Sequence, residues 1–366
     1  MAIELTAVTD FTSQKDAMSK SSDAGRTPNK LIRIQYLRGI AASMVVVHHV
    51  LHPRPWLFTP LGEIDLGRPG ILIFFVISGF VMLYACGTEP VAQFFRRRVV
   101  RIVPLYWIMS LAIFVVLVRN DIIAGEPLQR VPSLVQSLFF VPHYHFAVDD
   151  RIWPVLVPGW TLNYEMFFFV IFAIGIAVRR VFWVPVVILL SLVALGLVFD
   201  FDNAVLSTWT NPFLLMFVIG LWLARRFRAG GDFNLAPWLI LPGVVLITAG
   251  AFATTTVQWS EPVFFVAAAL IVAGVLGFEA RGPGRSWPVL ARIGDASYSI
   301  YLSHTIVLIP VLRLMRELPL DGWLQFAVVS VGSIGISLVV GIFVWKWLEV
   351  PLLDYFLRRK PAQIRP

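Results

Sequence analysis

The chain has 366 residues, of which 58% are hydrophobic and only 14% are charged, and its formal net charge is +8. Soluble domains carry about 25% charged residues, so this composition excludes a water-soluble fold and predicts an all-α polytopic membrane protein. The basic residues lie between apolar segments, which argues against nucleic-acid binding, and the single Cys86 excludes an intrachain disulfide.

The apolar segments predict a bundle of about ten transmembrane helices, because a span needs roughly 20 mostly apolar residues. The predicted spans lie near residues 33–52, 70–87, 100–118, 160–178, 182–199, 212–224, 236–253, 262–278, 296–315 and 323–348. Residues 1–30 are polar and lack an apolar signal-peptide core, so they are predicted to form a disordered cytoplasmic tail. The membrane domain covers residues 31–357, and residues 358–366 form a basic cytoplasmic tail.

The distribution of positive charge predicts the orientation of these spans. With the N-terminus in the cytoplasm, 23 of the 30 Lys and Arg residues fall on the cytoplasmic side. This bias follows the positive-inside rule and favours an even number of spans with both termini in the cytoplasm. The segment 134–146 is too short to span and is predicted to be half-embedded or interfacial. His143 and His145 are predicted to lie at the surface; the alternative is that they contact an acceptor substrate.

The first predicted span carries an arginine near one end and histidines near the other. Arg38 and His49 are eleven positions apart, which on a helix places them within about 20° of one face and about 16 Å apart along the axis. His48 points about 80° away from Arg38, so His49 shares the face of Arg38. Ionisable residues inside a membrane helix are functional candidates because burial there is costly. The alternative is that both residues extend to the membrane interfaces.

The third and fourth predicted spans add further ionisable residues. Arg98 and Arg101 share one helix face at the cytoplasmic boundary, and paired guanidinium donors suit phosphate oxygens. The alternative is a basic loop that only sets topology. Glu165 lies about 7 Å below the outer end of the fourth span, at the predicted depth of His49. A carboxylate there can orient and charge a histidine base, or pair at an interface.

Aromatic and polar residues accompany these charges. Trp160 and Tyr164 precede Glu165 and are predicted to contact a substrate. On the ninth span, Tyr301 and His304 share a polar face with Ser297 that must look into the bundle. These residues are predicted either to contact a substrate or to hydrogen-bond between helices.

Motifs in five of these segments, in chain order, resemble those of the acyltransferase-3 family of bacterial integral membrane enzymes. The arginine-rich start of the third span is also similar to the family's. The strings that carry the resemblance are Arg38 and His49 separated by ten residues, FFVISGF in the second span, GWTLNYEMFF in the fourth, SYSIYLSH in the ninth and the closing Glu349-Val350-Pro351. The GWTLNYEMFF form is similar to that of exopolysaccharide-decorating (succinoglycan-type) acetyltransferases. No catalytic role is predicted for Glu349.

The resemblance implies an O-acyltransferase of the bacterial inner membrane that moves an acyl group, with acetyl expected, from cytoplasmic acyl-CoA to a sugar hydroxyl of an exopolysaccharide or other surface glycan. Acyl-CoA is then a co-substrate, the acceptor is a glycan or lipid-linked oligosaccharide, and neither a metal nor a permanently bound cofactor is expected. Arg38, Arg98 and Arg101 would hold the CoA phosphates. His49, held by Glu165, would act on the acceptor hydroxyl, through direct attack or a transient acyl-histidine.

A transporter or flippase for a lipid-linked glycan is the alternative function, since intramembrane charges also line transport pathways. That class predicts internal repeats and matching broken helices, and no such repeat is apparent in the sequence.

Overall fold

The structure is a computed structural model that describes residues 31–124, 130–148, 150–253, 260–282 and 286–357. The described residues form helices and loops without a strand, which confirms the all-α prediction. Both predicted tails, residues 1–30 and 358–366, lie outside the described residues. The helices are α1 Ile32–Leu51, α2 Gly67–Cys86, α3 Val91–Ala124, α4 Val131–Leu138, α5 Trp160–Ala177, α6 Trp183–Val198, α7 Ala204–Trp209, α8 Leu214–Arg228, α9 Ile240–Ala253, α10 Ser260–Ala280, α11 Pro288–Asp295, α12 Ser297–Arg316, α13 Gly322–Val344 and α14 Val350–Leu357.

Eight helical stretches within the described residues are long and apolar enough to cross a membrane. Two further predicted spans correspond to shorter apolar helices, Trp183–Val198 and Ala236–Phe252. Helices therefore occupy all ten predicted positions, and eight of them meet the length requirement in full. The chain is a multi-pass membrane protein.

Helix α1 lies at the centre of the bundle and packs against α2, α10, α11, α12 and α13. Its inward residues Ala42, Val46 and Val50 are fully buried in the core. The helix ends before Pro53, which has no amide hydrogen to continue it. The Arg54 guanidinium then donates to the carbonyl oxygens of His49 and Val50, which the helix end would otherwise leave unpaired.

Glycines allow α2 and α8 to approach closely. A Cβ atom added to Gly79 would lie 2.3 Å from the Phe217 carbonyl oxygen, and one added to Gly220 would lie 2.2 Å from that of Val76. Only glycine fits at such a contact, which is the usual way in which membrane helices come together. This contact holds α2, and with it Ser78, against the inner part of the bundle.

Two helix boundaries differ from the predictions. Helix α3 begins at Val91, nine residues before the predicted span, so Arg98 and Arg101 belong to the helix that crosses the membrane. The last span does not end at Pro351. Helix α13 continues through a π-helical turn, Trp345–Glu349, into α14, where Pro351 is the second residue. Proline is tolerated in a first helical turn, and π turns are frequent at functional sites.

The segment between α3 and α5 corrects one prediction. His143 is 6% exposed and is therefore buried, not at the surface. Its Nδ1 bonds the Val141 carbonyl at 2.9 Å and its Nε2 lies 2.7 Å from the Ser133 hydroxyl. Burial lowers the pKa of His143, so the ring is neutral at pH 7 and holds this loop together as a hydrogen-bonding group.

Candidate active site

A cavity of about 170 Å³ lies inside the bundle and is lined by residues from five helices. Helix α1 contributes Arg38, α2 contributes Ser78, and α3 contributes Arg98 and Arg101. The other polar lining residues are Glu165 and Thr161 on α5, with Ser297, Tyr298 and Tyr301 on α12. The sequence predicted Arg38, Arg98, Arg101, Glu165 and Tyr301 as site residues from four separate segments, and the fold brings all five to this cavity.

Side-chain hydrogen bonds hold two of the three arginines, Arg38 and Arg98. The Gln35 side chain accepts from Arg38 Nη1 at 3.3 Å and donates to Asp295 at 2.9 Å. Arg98 Nη2 donates to the Cys86 sulfur at 2.7 Å, while its buried Nε has no partner within the described structure. Guanidinium donors with unused hydrogens at a cavity wall are suited to an anionic ligand.

Two carboxylates balance part of this charge. Glu165 Oε1 accepts from the Ser78 hydroxyl at 3.0 Å, and Glu165 interacts electrostatically with all three arginines. Glu349, in the π-helical turn, accepts from the Ser299 hydroxyl at 2.5 Å and interacts with Arg101 and Arg38. Among the residues that line the cavity, three guanidinium groups are opposed by one carboxylate, that of Glu165, while Glu349 and Asp295 interact with Arg38 from outside the lining.

His49 lies close to His304. The centroids of the two rings are 4.9 Å apart with an interplanar angle of 65°. His49 Nδ1 bonds the Val45 carbonyl at 2.9 Å, and His304 Nδ1 bonds the Tyr301 carbonyl at 2.6 Å. Tyr301 connects this pair to the cavity, since its ring is 6.0 Å from that of His304.

His48 has a different environment from His49. Its Nδ1 lies 3.1 Å from the Ile64 carbonyl oxygen and 3.6 Å from the Asp65 carboxylate. Its ring also packs on Gly67, where an added Cβ would approach to 2.8 Å. The two adjacent histidines therefore have different neighbours: His304 for His49, and Ile64 and Asp65 for His48.

The predicted pairing of Glu165 with His49 is not seen. Within the described residues the Glu165 carboxylate bonds Ser78, and His49 is neighboured by His304 instead. The rise per residue predicts that Glu165 and His49 lie at the same depth in the membrane. It does not predict how α5 is rotated about its axis. Residue His304, which was predicted to contact the substrate, occupies the position expected for Glu165.

Two other predicted contact residues, Trp160 and Tyr164, are not among the residues that line the cavity. The ring of Trp160 is 5.8 Å from that of Tyr164, and both pack against Phe213. Tyr301 anchors the start of α5, because its hydroxyl donates to the Pro158 carbonyl at 2.8 Å and lies 2.9 Å from Thr161 Oγ1.

The sequence interpretation missed Tyr298 and Glu349. Tyr298 lies off the polar face of α12, but it lines the cavity and donates to the Ile102 carbonyl at 2.7 Å. Glu349 lies at the end of the last predicted span, and the structure shows that its carboxylate is buried, which is itself a signal of function.

These observations define a class of protein: a multi-pass helical membrane protein with a positively charged cavity and a histidine pair beside it. The sequence comparisons then identify the family. The profile of the acyltransferase domain family, Acyl_transf_3, matches residues 31–342, so the chain belongs to this family and is a membrane acyltransferase. This assignment favours an enzyme over the transporter considered above.

Three curated relatives are similar to the chain. It is 36% identical to the exopolysaccharide production protein ExoZ of Rhizobium meliloti, over 79% of this chain and 90% of that protein. It is 26% identical to acyltransferase MdmB of Streptomyces mycarofaciens, over 93% and 96% of the two chains. It is also 26% identical to nodulation protein 10 of Rhizobium leguminosarum bv. viciae, over 87% and 92%. No solved structure shows a significant match.

Proposed function

We propose that this acyltransferase moves an acyl group, with acetyl as the expected group, from acyl-CoA to a sugar hydroxyl of an exopolysaccharide or a related surface glycan. The observation that carries the proposal is the assembly of Arg38, Arg98 and Arg101 around one cavity, with His49 further along the helix that carries Arg38. The similarity to an exopolysaccharide production protein supports the choice of acceptor.

In this proposal the arginines bind phosphate groups of the donor. The cavity lining holds three arginines and one carboxylate, that of Glu165, and guanidinium groups bind phosphate through paired donors. Helix α1 is unbroken from Ile32 to Leu51, so Arg38 and His49 are about 16 Å apart along its axis. A pantetheine arm has a comparable length, and it would carry the thioester past Tyr301 to His49.

His49 then acts as the general base. The Val45 carbonyl can only accept, so His49 Nδ1 carries the hydrogen and Nε2 has a free lone pair. As the acceptor oxygen attacks the thioester carbonyl carbon, Nε2 takes the hydroxyl proton. The carbon–sulfur bond then breaks, the ester remains on the sugar, and the CoA thiolate leaves with the proton from His49.

Acceptor-dependent release of CoA tests this function. The full-length protein in lipid nanodiscs is mixed with acetyl-CoA or succinyl-CoA and with polysaccharide from a host strain that lacks the protein. Free thiol should rise only when both donor and polysaccharide are present, and the acyl group should appear as an alkali-labile ester on the polysaccharide. If neither donor gives polysaccharide-dependent thiol release, the proposed reaction is wrong.

We further propose that both termini are cytoplasmic in the bacterial inner membrane, so that acyl-CoA enters from the cytoplasm. Cysteines introduced at the exposed residues Ala92 and Ala147 test this orientation. A membrane-impermeant maleimide added to intact cells should label Ala147→Cys and not Ala92→Cys. A third cysteine at Ala362 lies outside the described residues and should also be protected. Native Cys86 is 2% exposed and serves as an internal control. Labelling at Ala92 from outside would reverse the orientation.

A further inference from the structure

One hydroxyl group in the cavity wall is buried without a hydrogen-bond partner among the described residues. Ser297 lines the cavity and is 0% exposed, and its Oγ is unpaired. A buried polar group without a partner costs free energy, and native proteins rarely keep one without a reason. The reaction as described so far uses neither this hydroxyl nor the carboxylate of Glu165, which lines the same cavity.

Ser297 and Glu165 lie between the arginines and Tyr301. The Tyr301 hydroxyl of α12 is 2.9 Å from Thr161 Oγ1 of α5, so the two helices meet at this contact. On α12, Ser297 lies between Tyr301 and Asp295, and Asp295 interacts electrostatically with one of the arginines. On α5, Glu165 follows Thr161 by four residues and interacts electrostatically with all three arginines. Each residue is therefore one helical turn, about 6 Å, from the contact on the side of the arginines.

In the proposed reaction this part of the cavity is where the pantetheine arm of the donor passes. The phosphates bind at the arginines and the thioester is carried past Tyr301, so the arm runs between these two places. The arm contains two secondary amide groups, and each has one N–H donor and one carbonyl acceptor. Much of the remaining lining is apolar, including Ile71, Phe74 and Leu162, and amides buried there need hydrogen-bond partners.

The two side chains have the hydrogen-bonding groups that such amides require. The Ser297 hydroxyl can donate to an amide carbonyl oxygen. An ionised carboxylate only accepts and offers about four lone-pair positions, of which the Ser78 hydroxyl occupies one on Glu165. The others can accept from an amide N–H group, in a bond that the negative charge strengthens.

We infer that Ser297 and Glu165 bind the pantetheine arm of the donor through its amide groups. The inference rests on the proposed acyl transfer from acyl-CoA. It divides the cavity into two parts: the arginines bind phosphate, and Ser297 and Glu165 bind the arm that all acyl-CoA donors share. The second part distinguishes acyl-CoA from other phosphorylated ligands, which the arginines alone would also bind.

Two probes separate the two parts of the cavity. CoA has both phosphates and the pantetheine arm, whereas adenosine 3′,5′-bisphosphate has phosphates and lacks the arm. Equilibrium dialysis against the full-length protein in nanodiscs gives the Kd of each probe. Ser297→Ala should raise the Kd of CoA by roughly 3- to 10-fold, the net cost of one hydrogen bond, and leave that of the bisphosphate unchanged. The KM for acetyl-CoA should rise by the same factor, with kcat unchanged.

A second variant and a matched control complete the experiment. Glu165→Gln should raise the Kd of CoA relative to that of the bisphosphate, because the arm loses a charge-assisted bond while phosphate binding loses a nearby negative charge. The control is Ser303→Ala. Ser303 is on the same helix as Ser297, is 2% exposed and has an unpaired Oγ within the described structure, but it is not among the residues that line the cavity. Its loss should change neither Kd.

Each other outcome contradicts one part of the argument. Unchanged CoA binding in Ser297→Ala, or equal weakening of CoA and the bisphosphate, would overturn the inference. An equal effect in Ser303→Ala would show that the loss comes from the packing of α12 and not from the arm. Wild-type protein that neither binds CoA nor releases thiol in a polysaccharide-dependent reaction would refute the proposed function itself. Normal wild-type turnover, with the ratio of the two Kd values unchanged in both cavity variants, would refute only the pantetheine site.

Discussion

His49→Ala is expected to lower acyl transfer by about 10²–10⁴-fold, the usual cost of losing a general base, while the protein still inserts and folds. The His49 ring lies near the C-terminal end of α1, and its side-chain bond goes to its own helix at Val45. It contacts the His304 ring of α12, and we expect the bundle to fold without that contact. Donor binding should persist, because Arg38, Arg98 and Arg101 remain in place, so the loss should appear in kcat and not in the KM for acetyl-CoA.

His48→Ala is the matched control for this variant. It removes the neighbouring imidazole, which packs on Gly67 and bonds the Ile64 carbonyl away from the His304 ring. Its effect should be on stability, with kcat close to wild type at equal membrane expression. If His48→Ala is inactive and His49→Ala retains turnover, the assignment of the base is wrong. If both variants turn over normally, the base-catalysed mechanism fails.

Arg38→Ala is expected to raise the KM for acetyl-CoA by roughly 10- to 100-fold, the cost of removing a hydrogen-bonding charge from a buried phosphate contact. Arg38 lies within the membrane span, so water replaces the lost donors poorly. Arg38→Lys should restore only part of the affinity, because an ammonium keeps the charge and loses the paired planar donors. Arg98→Ala and Arg101→Ala should have smaller effects. Initial rates at varied donor concentration give these constants.

The control is Arg225→Ala. The Arg225 guanidinium stacks 4.5 Å from the centroid of the Phe182 ring, outside the cavity, and its loss should leave the KM unchanged. An unchanged KM in all three cavity variants would contradict a phosphate-binding role for the arginines. A change in Arg225→Ala as large as that in Arg38→Ala would indicate a general effect of positive charge.

Several residues of the site could be predicted from the sequence because residue type and position within a single helix are enough to select them. A charged or polar residue inside an apolar span must face protein or water, and this rule, together with helical geometry and the family resemblance, selected Arg38, Glu165 and His304. Helical periodicity separated His49 from His48, since 100° per residue fixes direction within one helix. Helical periodicity did not select Tyr298, which lies off the polar face of α12. The start of α12 is surrounded by protein, since Gly294 of the preceding helix contacts the backbone of Gln35. More than one face of α12 therefore packs against other helices there.

The helical class, the positions of the spans and the residues too costly to leave in lipid could all be read from the chain alone. These follow from free energies of transfer and from geometry within a single helix. The packing of the helices fixed two further features: Glu165 bonds Ser78 in the cavity that the arginines line, and His304 lies against His49. The rotation of each helix about its axis is set by packing between helices, such as the contact of Gly79 with Phe217, and no single segment contains that information.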